Sequence, residues 1–303
     1  MHPPGEWCGF VNHHKPPGVS SQQAVSWVRR LFGAAKAGHT GTLDPLATGV
    51  LPICLGRATR LAAYVSAANK SYRAEVAFGV ETDTLDAQGA CVREADAALV
   101  TSGMIEETLP RFRGEIEQTP PAFSALSQQG QRLYRLARRG EQVVATPRQV
   151  TISELDLLEF VQGHQPRATL ELTCGKGTYV RSLAADLAHA LGTVGHLTAL
   201  VRTRVGPFRI EDSLTSERLQ VLADEHQLGQ ALLPPDYPLH SYAELSLGDG
   251  DADRFMHGGQ VICDITPGFA RIYDSGHRFL GVGRVSPEGA GFLLQPVVVL
   301  AGD

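Results

Sequence analysis

Residues 36 to 56 read KAGHTGTLDPLATGVLPICLG and hold four glycines, two prolines, one histidine and a single acidic side chain, Asp44. Pro45 pushes Asp44 out of helical space into an extended conformation, and Gly38, Gly41 and Gly49 let the chain turn tightly around it. The expected result is a carboxylate held at a loop tip. By local rules alone Asp44 fits slightly better as a turn opener, because Asp before Pro commonly starts a turn. Other chemistries fit worse. A phosphate loop needs G-x-x-x-x-G-K-[ST], and no such run is present; nor does a dinucleotide fingerprint fit. A metal site wants several converging carboxylates or imidazoles, whereas His39 and Asp44 stand largely alone. The G-x-S-x-G elbow of a Ser-His-Asp hydrolase is missing as well.

The flanking segments alternate between helical and strand periods. SSQQAVSWVRRLFG places Ala24, Val25, Val28, Leu31 and Phe32 on one helical face, with Ser20 or Ser21 as N-cap and Gly33 past the end. KSYRAEVAFGV alternates Tyr72, Ala74, Val76 and Phe78 against Arg73, Glu75 and Ala77, the pattern of a half-buried strand. ATLELTC repeats it with Leu170, Leu172 and Cys174. GKGTYVRSLAADLAHALG then switches to helical spacing through Val180, Leu183, Ala184, Leu187 and Leu191, and stops at Gly192. Arg181 therefore falls in the first turn of a helix that follows a strand.

Residues 212 to 240 read as a connector broken by LLPPDYPLH. Beyond it, QVICDI, FARIYD, RFLGVGRV and FLLQPVVVL are short strand-like runs between turns, which predicts a small β-barrel. The expected architecture is α+β for residues 1–235 and a compact β module for residues 236–303.

Composition narrows the setting. The chain has 303 residues, 43% hydrophobic and 19% charged, enough for a sizeable core in one large domain plus a small one or in two domains. Its five cysteines are far apart and form no C-x-x-C pair, so neither a zinc site nor a disulfide framework is expected, and a reducing compartment is. No signal peptide or membrane span is read, so the expectation is a cytoplasmic protein without a membrane partner. The net charge of −5 is unevenly spread. Residues 210–303 carry 14 acids against 5 arginines, whereas residues 1–209 carry 22 bases against 18 acids. Basic runs at 111–150 and 172–209 could follow phosphates or form a solvated face.

GHTGTLDPLATGVLPICLGRATR, residues 38–60, resembles the catalytic motif of the TruB family of bacterial tRNA pseudouridine synthases. Further matches follow in the family's order: VNHHKPPGVSS, KSYRAEVAFGVETDTLDAQG, TPPAFSALSQQGQRLYRLARRG, CGKGTYVRSLAADL and HLTALVRTRVGPF. Together they fall within residues 10 to 212. The resemblance implies a pseudouridine synthase catalytic domain on a mixed, largely antiparallel sheet, closed by a small PUA-like β-barrel. It also implies conversion of uridine to pseudouridine in the tRNA T-loop, at position 55 in tRNA numbering, by a stand-alone enzyme with no cofactor, metal or obligate protein partner.

Residue roles follow by the same resemblance. Asp44 matches the catalytic aspartate, which either adds to the sugar or abstracts a sugar proton. Arg181 matches its arginine partner, and an adjacent guanidinium is expected to pull a carboxylate pKa down by roughly 1 to 3 units. Tyr72 matches the tyrosine that stacks on the target base and handles the C5 proton. His39 matches the histidine that fills the gap when the uridine flips out. Tyr179 and Leu200 match uracil-pocket positions. Lys15, Arg202 and Arg204 are assigned as phosphate or structural contacts.

Two positions depart from the family pattern. His14 stands where an aspartate usually precedes Lys-Pro, and Ser127 where a lysine is common. A non-catalytic RNA-binding protein, a guide-RNA-dependent relative and a nucleotide hydrolase are the competing readings. The intact Asp44, Tyr72 and Arg181 set, the TPPAFSALSQQG segment and the missing phosphate loop weigh against them in turn.

Overall fold

The computed structural model describes residues 7–121, 127–128, 131–132, 146–289 and 291–300. Its larger sheet is built from β1 (Gly9–Lys15), β2 (Ala37–His39), β3 (Thr48–Leu55), β4 (Lys70–Phe78), β7 (Gly114–Gln118), β10 (Arg148–Val161), β11 (Arg167–Cys174), β12 (Gly195–Val205) and β13 (Phe208–Arg209). Two small hairpins lie outside it: β5 (Val80–Thr82) with β6 (Cys91–Glu94), and β8 (Ser127–Gln128) with β9 (Gln131–Arg132). The order across the sheet is β1-β3-β12-β4-β11-β10-β7, with β2 on β3 and β13 on β12. The β3 and β12 strands run parallel and the other pairs antiparallel, so the sheet is mixed.

The helices on this sheet form where the periodicity places them. Helix α1 (Ser21–Leu31) starts on a capping box between Ser20 and Gln23 and buries Ala24, Val25 and Val28. After α2 (Ala62–Ala67) and α3 (Ser102–Thr108), helix α4 (Val180–Ala190) follows β11 and buries Leu183, Ala184 and Leu187. Those side chains share one core with Tyr72, Ala74, Val76 and Phe78 of β4. Each fully buried aliphatic or aromatic side chain there contributes about 1.5–3 kcal/mol. The packing of α4 on β4 thereby fixes the helix start that carries Arg181.

The connector is more ordered than its prolines suggested. Helix α5 (Ser216–Asp224) lies within it, capped by the Thr215 hydroxyl accepting from the Arg218 N–H and anchored by buried Leu219 and Leu222. The C-terminal unit is a five-stranded sheet in the order β14-β16-β17-β18-β15 (Ala243–Ser246, Gly268–Tyr273, Phe279–Glu288, Gly291–Val299, Val261–Cys263), whose path ends on β14 and β15. It also contains helix α6 (Asp249–Met256), which the strand pattern did not signal. This unit packs on the larger sheet: Leu239, Val282 and Leu300 share a cluster with Phe10, Val50, Val65 and Phe208. Arg57 and Arg60 donate to the carbonyls of Leu300 and Val299 at 3.1 and 2.6 Å. No helix among the described residues is long and apolar enough to cross a membrane.

Candidate active site

The loop between β2 and β3 carries Asp44, and its backbone is fastened from both sides. The Ser21 hydroxyl, at the start of α1, accepts from the Leu43 N–H at 2.8 Å and donates to the Leu43 carbonyl at 2.9 Å. Lys15, fully buried, donates to the carbonyls of Pro16, Val19 and Pro45 at 2.8, 2.6 and 3.4 Å. The aspartate thus sits on a braced platform. Of the three glycines expected to turn the chain, Gly49 has a positive φ of 96°, whereas the φ of 159° at Gly41 is close to extended backbone. The glycine requirement therefore lies at Gly49, the second residue of β3.

Asp44 meets Arg181 through both carboxylate oxygens. Nε lies 2.9 Å from Oδ2 and NH2 lies 3.3 Å from Oδ1, a side-on pairing of two planar groups. Arg181 is 5% exposed and also donates to the Thr84 carbonyl at 2.9 Å. A second carboxylate, Asp86, lies 3.7 Å from its NH1. Asp86 is buried too, held by the Thr84 hydroxyl at 2.7 Å and the Gln88 N–H at 3.0 Å. One guanidinium therefore sits between two acids.

This geometry corrects one electrostatic expectation. The Asp44 carboxyl is raised from its ordinary value, because burial outweighs the opposing pull of Arg181, and the nearby Asp86 charge adds to the rise. A pairing arginine lowers a carboxylate pKa only when desolvation is the smaller effect. The pair is therefore a restrained carboxylate rather than a strongly acidified one.

Asp44, Tyr72, Tyr179, Arg181, Leu200 and Arg202 line one cavity of about 280 Å3. Tyr72 and Leu200 come from adjacent strands β4 and β12, both largely buried. Burial holds the Tyr72 phenol above its ordinary pKa, while Arg202 pulls the other way. Tyr179 precedes α4 and is clamped by Gln118, whose side chain accepts from the Tyr179 N–H at 2.7 Å and donates to its carbonyl at 3.0 Å. The Arg148 guanidinium lies 5.7 Å from the Tyr179 ring centroid.

Of the other predicted residues, His39, Lys15 and Arg204 sit outside the cavity, and Arg202 lies in its wall. His39 ends β2 just outside the cavity, with its Nδ1 accepting from the Gly41 N–H at 3.3 Å. Burial, with Arg202 nearby, lowers its pKa and keeps the ring neutral. Lys15 lies beneath the loop, its ammonium committed to three carbonyls, so of the two roles assigned to it the structure favours the structural one. Arg202 is 1% exposed and donates to the carbonyls of Val50, Gly41 and Thr42 at 2.7, 3.1 and 3.5 Å, which again is a structural arrangement. Arg204 donates to the Ser71 hydroxyl at 3.3 Å and faces a separate groove lined by Arg73, Glu154 and Glu171.

His14, the first departure, places its Nδ1 3.2 Å from the Ser213 hydroxyl. The side chain of Ser127, and half of the basic run at 111–150, lie outside the described residues. Sequence reasoning missed Asp86, Gln118 and Lys70. Asp86 and Lys70 belong to the quoted KSYRAEVAFGVETDTLDAQG stretch, but nothing local shows that they reach the cavity region. Among the described residues no cluster of His, Cys, Asp and Glu could hold a metal ion.

Comparison with known proteins adds what geometry alone does not. The profile described as TruB family pseudouridylate synthase (N terminal domain) matches residues 29–180. Those described as tRNA pseudouridylate synthase B C-terminal domain and Pseudouridine synthase II TruB, C-terminal, match residues 181–240 and 243–300. The chain is 46% identical to tRNA pseudouridine synthase B of Pseudomonas aeruginosa, over 93% of each chain. It is 49% identical to the protein of that name from Symbiobacterium thermophilum, over 82% of each. The solved structure of a Cbf5-Nop10-Gar1 complex superposes with a TM-score of 0.72 at 25% identity, covering 97% of this chain and 85% of the other. By sequence over nearly its whole length and by fold, the chain belongs to the TruB family of pseudouridine synthases.

Proposed function

We propose that this chain isomerises uridine to pseudouridine in the T-loop of tRNA, at position 55 in tRNA numbering, acting alone in the cytoplasm with Asp44 as the catalytic carboxylate. The observation that carries the reading is the Asp44 and Arg181 pair at 2.9 Å in one cavity with Tyr72 and Leu200, in a chain of this family. Curated relatives named tRNA pseudouridine synthase B support the choice of tRNA.

The isomerisation breaks the bond between N1 and C1′, turns the base and joins C5 to C1′, with no net redox change. A single carboxylate serves either route: it adds to C1′ and later leaves, or it removes a sugar proton and later returns it. Arg181 holds the Asp44 plane in both. A cavity of about 280 Å3 takes a base and sugar, not a stacked helix, so the uridine enters extruded. His39, neutral at the cavity edge, occupies the place the base leaves. Tyr72 and Leu200 cover the faces of the uracil, and Tyr179 lines its edge.

Charge favours an RNA loop at this cavity. Of the cations lining it, Lys70, Arg181 and Arg202 are buried and held by internal partners, whereas the exposed Lys176 at its rim suits a flanking phosphate. The C-terminal sheet, expected to be PUA-like and carrying the acidic balance of residues 210–303, touches RNA over a limited patch at most.

Tritium release from C5-labelled uridine in unmodified tRNA tests the reading. The wild-type chain should release tritium without added partners, and Asp44→Asn should release none. A silent wild type removes the stand-alone synthase; an active Asp44→Asn removes the assigned catalyst.

A further inference from the structure

Arg202 and Tyr72 are directly opposed Cα partners in the antiparallel register of β12 and β4. Residues so paired project to the same face of a sheet with Cβ atoms about 4.5–5.5 Å apart. Both side chains are buried, and both line the cavity that holds Asp44. The guanidinium is fixed from the other side by the Val50, Gly41 and Thr42 carbonyls. The guanidinium and the phenol are electrostatic neighbours across the paired strands. Among the described residues no carboxylate neutralises it; the groups that favour its charge are Tyr72 and Cys174.

A buried cation without an anionic partner is costly, and the cost falls when a neighbouring group takes a negative charge. The phenol of the strand-paired Tyr72 is a group able to do so. We propose that Arg202 is a positioning residue for Tyr72, which stabilises the phenolate during removal of the C5 proton. The inference rests on the function proposed above but assigns a different step to a different pair. The two pairs divide the cavity, Asp44 with Arg181 at the sugar and Tyr72 with Arg202 at the base.

The proton balance fits that division. Once C5 has joined C1′, the base still carries its C5 hydrogen and has an N1=C6 double bond. The C5–H electron pair then forms the C5=C6 bond, the N1=C6 pair moves to N1, and N1 takes a proton. One proton leaves C5 and one arrives at N1, with no net change of charge. Tyr72 can give its phenol proton to N1 and take the C5 proton onto the resulting phenolate oxygen, ending as it began. The short-lived phenolate is the species beside Arg202. Because the guanidinium also spans to Gly41 and Thr42, the phenol is held in register with the loop that carries Asp44.

A substrate with fluorine at C5 separates the steps, because carbon cannot release F+ and turnover stops after C5 has joined the sugar. The experiment compares tritium release from C5-labelled uridine tRNA with consumption of the 5-fluorouridine tRNA, for wild type and Arg202→Lys. The ratio of the two rates is insensitive to how much variant folds. It should fall at least about tenfold in Arg202→Lys, less than the roughly 10²–10⁴-fold that a whole acid–base group supplies because Tyr72 itself is kept. A C5 deuterium isotope effect should increase in the same variant, and Tyr72→Phe should show no further fall when Arg202→Lys is added. An unchanged ratio overturns the inference and returns Arg202 to a purely structural role. If wild type consumes neither tRNA, the proposed function fails first; if wild type works and only the ratio is flat, the function stands and this assignment falls.

Discussion

Arg181 Nε lies 2.9 Å from Asp44 Oδ2 although 137 residues separate the two in sequence. Neither side chain is left to find the other. Ser21 and Lys15 brace the aspartate loop, and Gln118 grips the backbone of Tyr179 two residues before the arginine. Ser182, one residue after it, donates to the Thr119 carbonyl at 2.8 Å. The pairing is thus prepared by contacts that do not touch a substrate, the kind of support that reduces reorganisation at the reacting atoms.

Asp86→Asn tests the second acid. The Asp44 carboxyl is raised first by burial, against Arg181, and the Asp86 charge adds to the rise. Asp44 must be ionised to act as nucleophile or base, so activity is lost as pH falls through its folded pKa. Removing the Asp86 charge lowers that pKa, and the acid limb of kcat/KM should move to lower pH. The plateau should drop about tenfold, because NH1 of Arg181 loses a charged neighbour at 3.7 Å. A pH–rate series for both proteins checks this, and an acid limb that moves upward contradicts it.

Lys15→Met separates a brace from a phosphate contact. The buried ammonium is committed to three carbonyls, and burial lowers its pKa to about 8. The variant should unfold at lower denaturant and lose activity through the loosened Pro45 turn. The slope of log K for tRNA against log salt should stay as in wild type, since a lost phosphate contact would reduce it by about 1. Filter binding at several salt concentrations reads the difference.

How far the sequence reaches is clear from these residues. Helix α1, strand β4 and helix α4 were legible because the apolar period is unbroken within each segment, and in α1 the capping box agrees with it. Helix α5 was hidden because its two buried leucines give only a short apolar period in a segment read as a connector, although Thr215 caps it and Leu219 and Leu222 anchor it. For Lys15 and Arg202 the sequence shows a charge but not its depth, and burial decides between phosphate contact and internal brace. The raised Asp44 carboxyl is likewise a tertiary quantity, set by neighbours up to 137 residues away. Asp86 became a site residue only through the fold, which brings its turn beside β12 at Leu197.

Gly49→Ala and Gly41→Ala should behave differently. At Gly49, φ is +96° and a Cβ would lie 2.3 Å from the Arg202 carbonyl oxygen, across the parallel contact of β3 and β12. Strain and overlap together should cost about 3 kcal/mol. At Gly41 the nearest atoms to such a Cβ are Lys70 Cε at 3.6 Å and Arg202 NH1 at 3.7 Å, ordinary contacts. Thermal unfolding should therefore show a large loss for the first and a small one for the second. Equal losses would place the turn's constraint elsewhere.

His13 sets an acid limit on stability that is separate from catalysis. The ring is 1% exposed, stacks on Trp27 with centroids 5.8 Å apart, and places Nδ1 3.1 Å from the Leu214 carbonyl. Burial lowers its pKa from 6.5 to about 4, with His14 and Lys15 adding to the fall and the Leu214 bond and Glu217 opposing it. Between those two values the unfolded chain binds a proton that the folded chain refuses, so stability falls as pH drops through that window. The full loss is about 3 kcal/mol, from about 1.4 kcal/mol per unit. His13→Phe keeps an aromatic ring on Trp27 and cannot titrate. Urea unfolding at about pH 7 and about pH 4.5 should then show wild type losing roughly 2–3 kcal/mol more than the variant. If both lose the same amount, the acid sensitivity arises from the carboxylates and His13 contributes none of it.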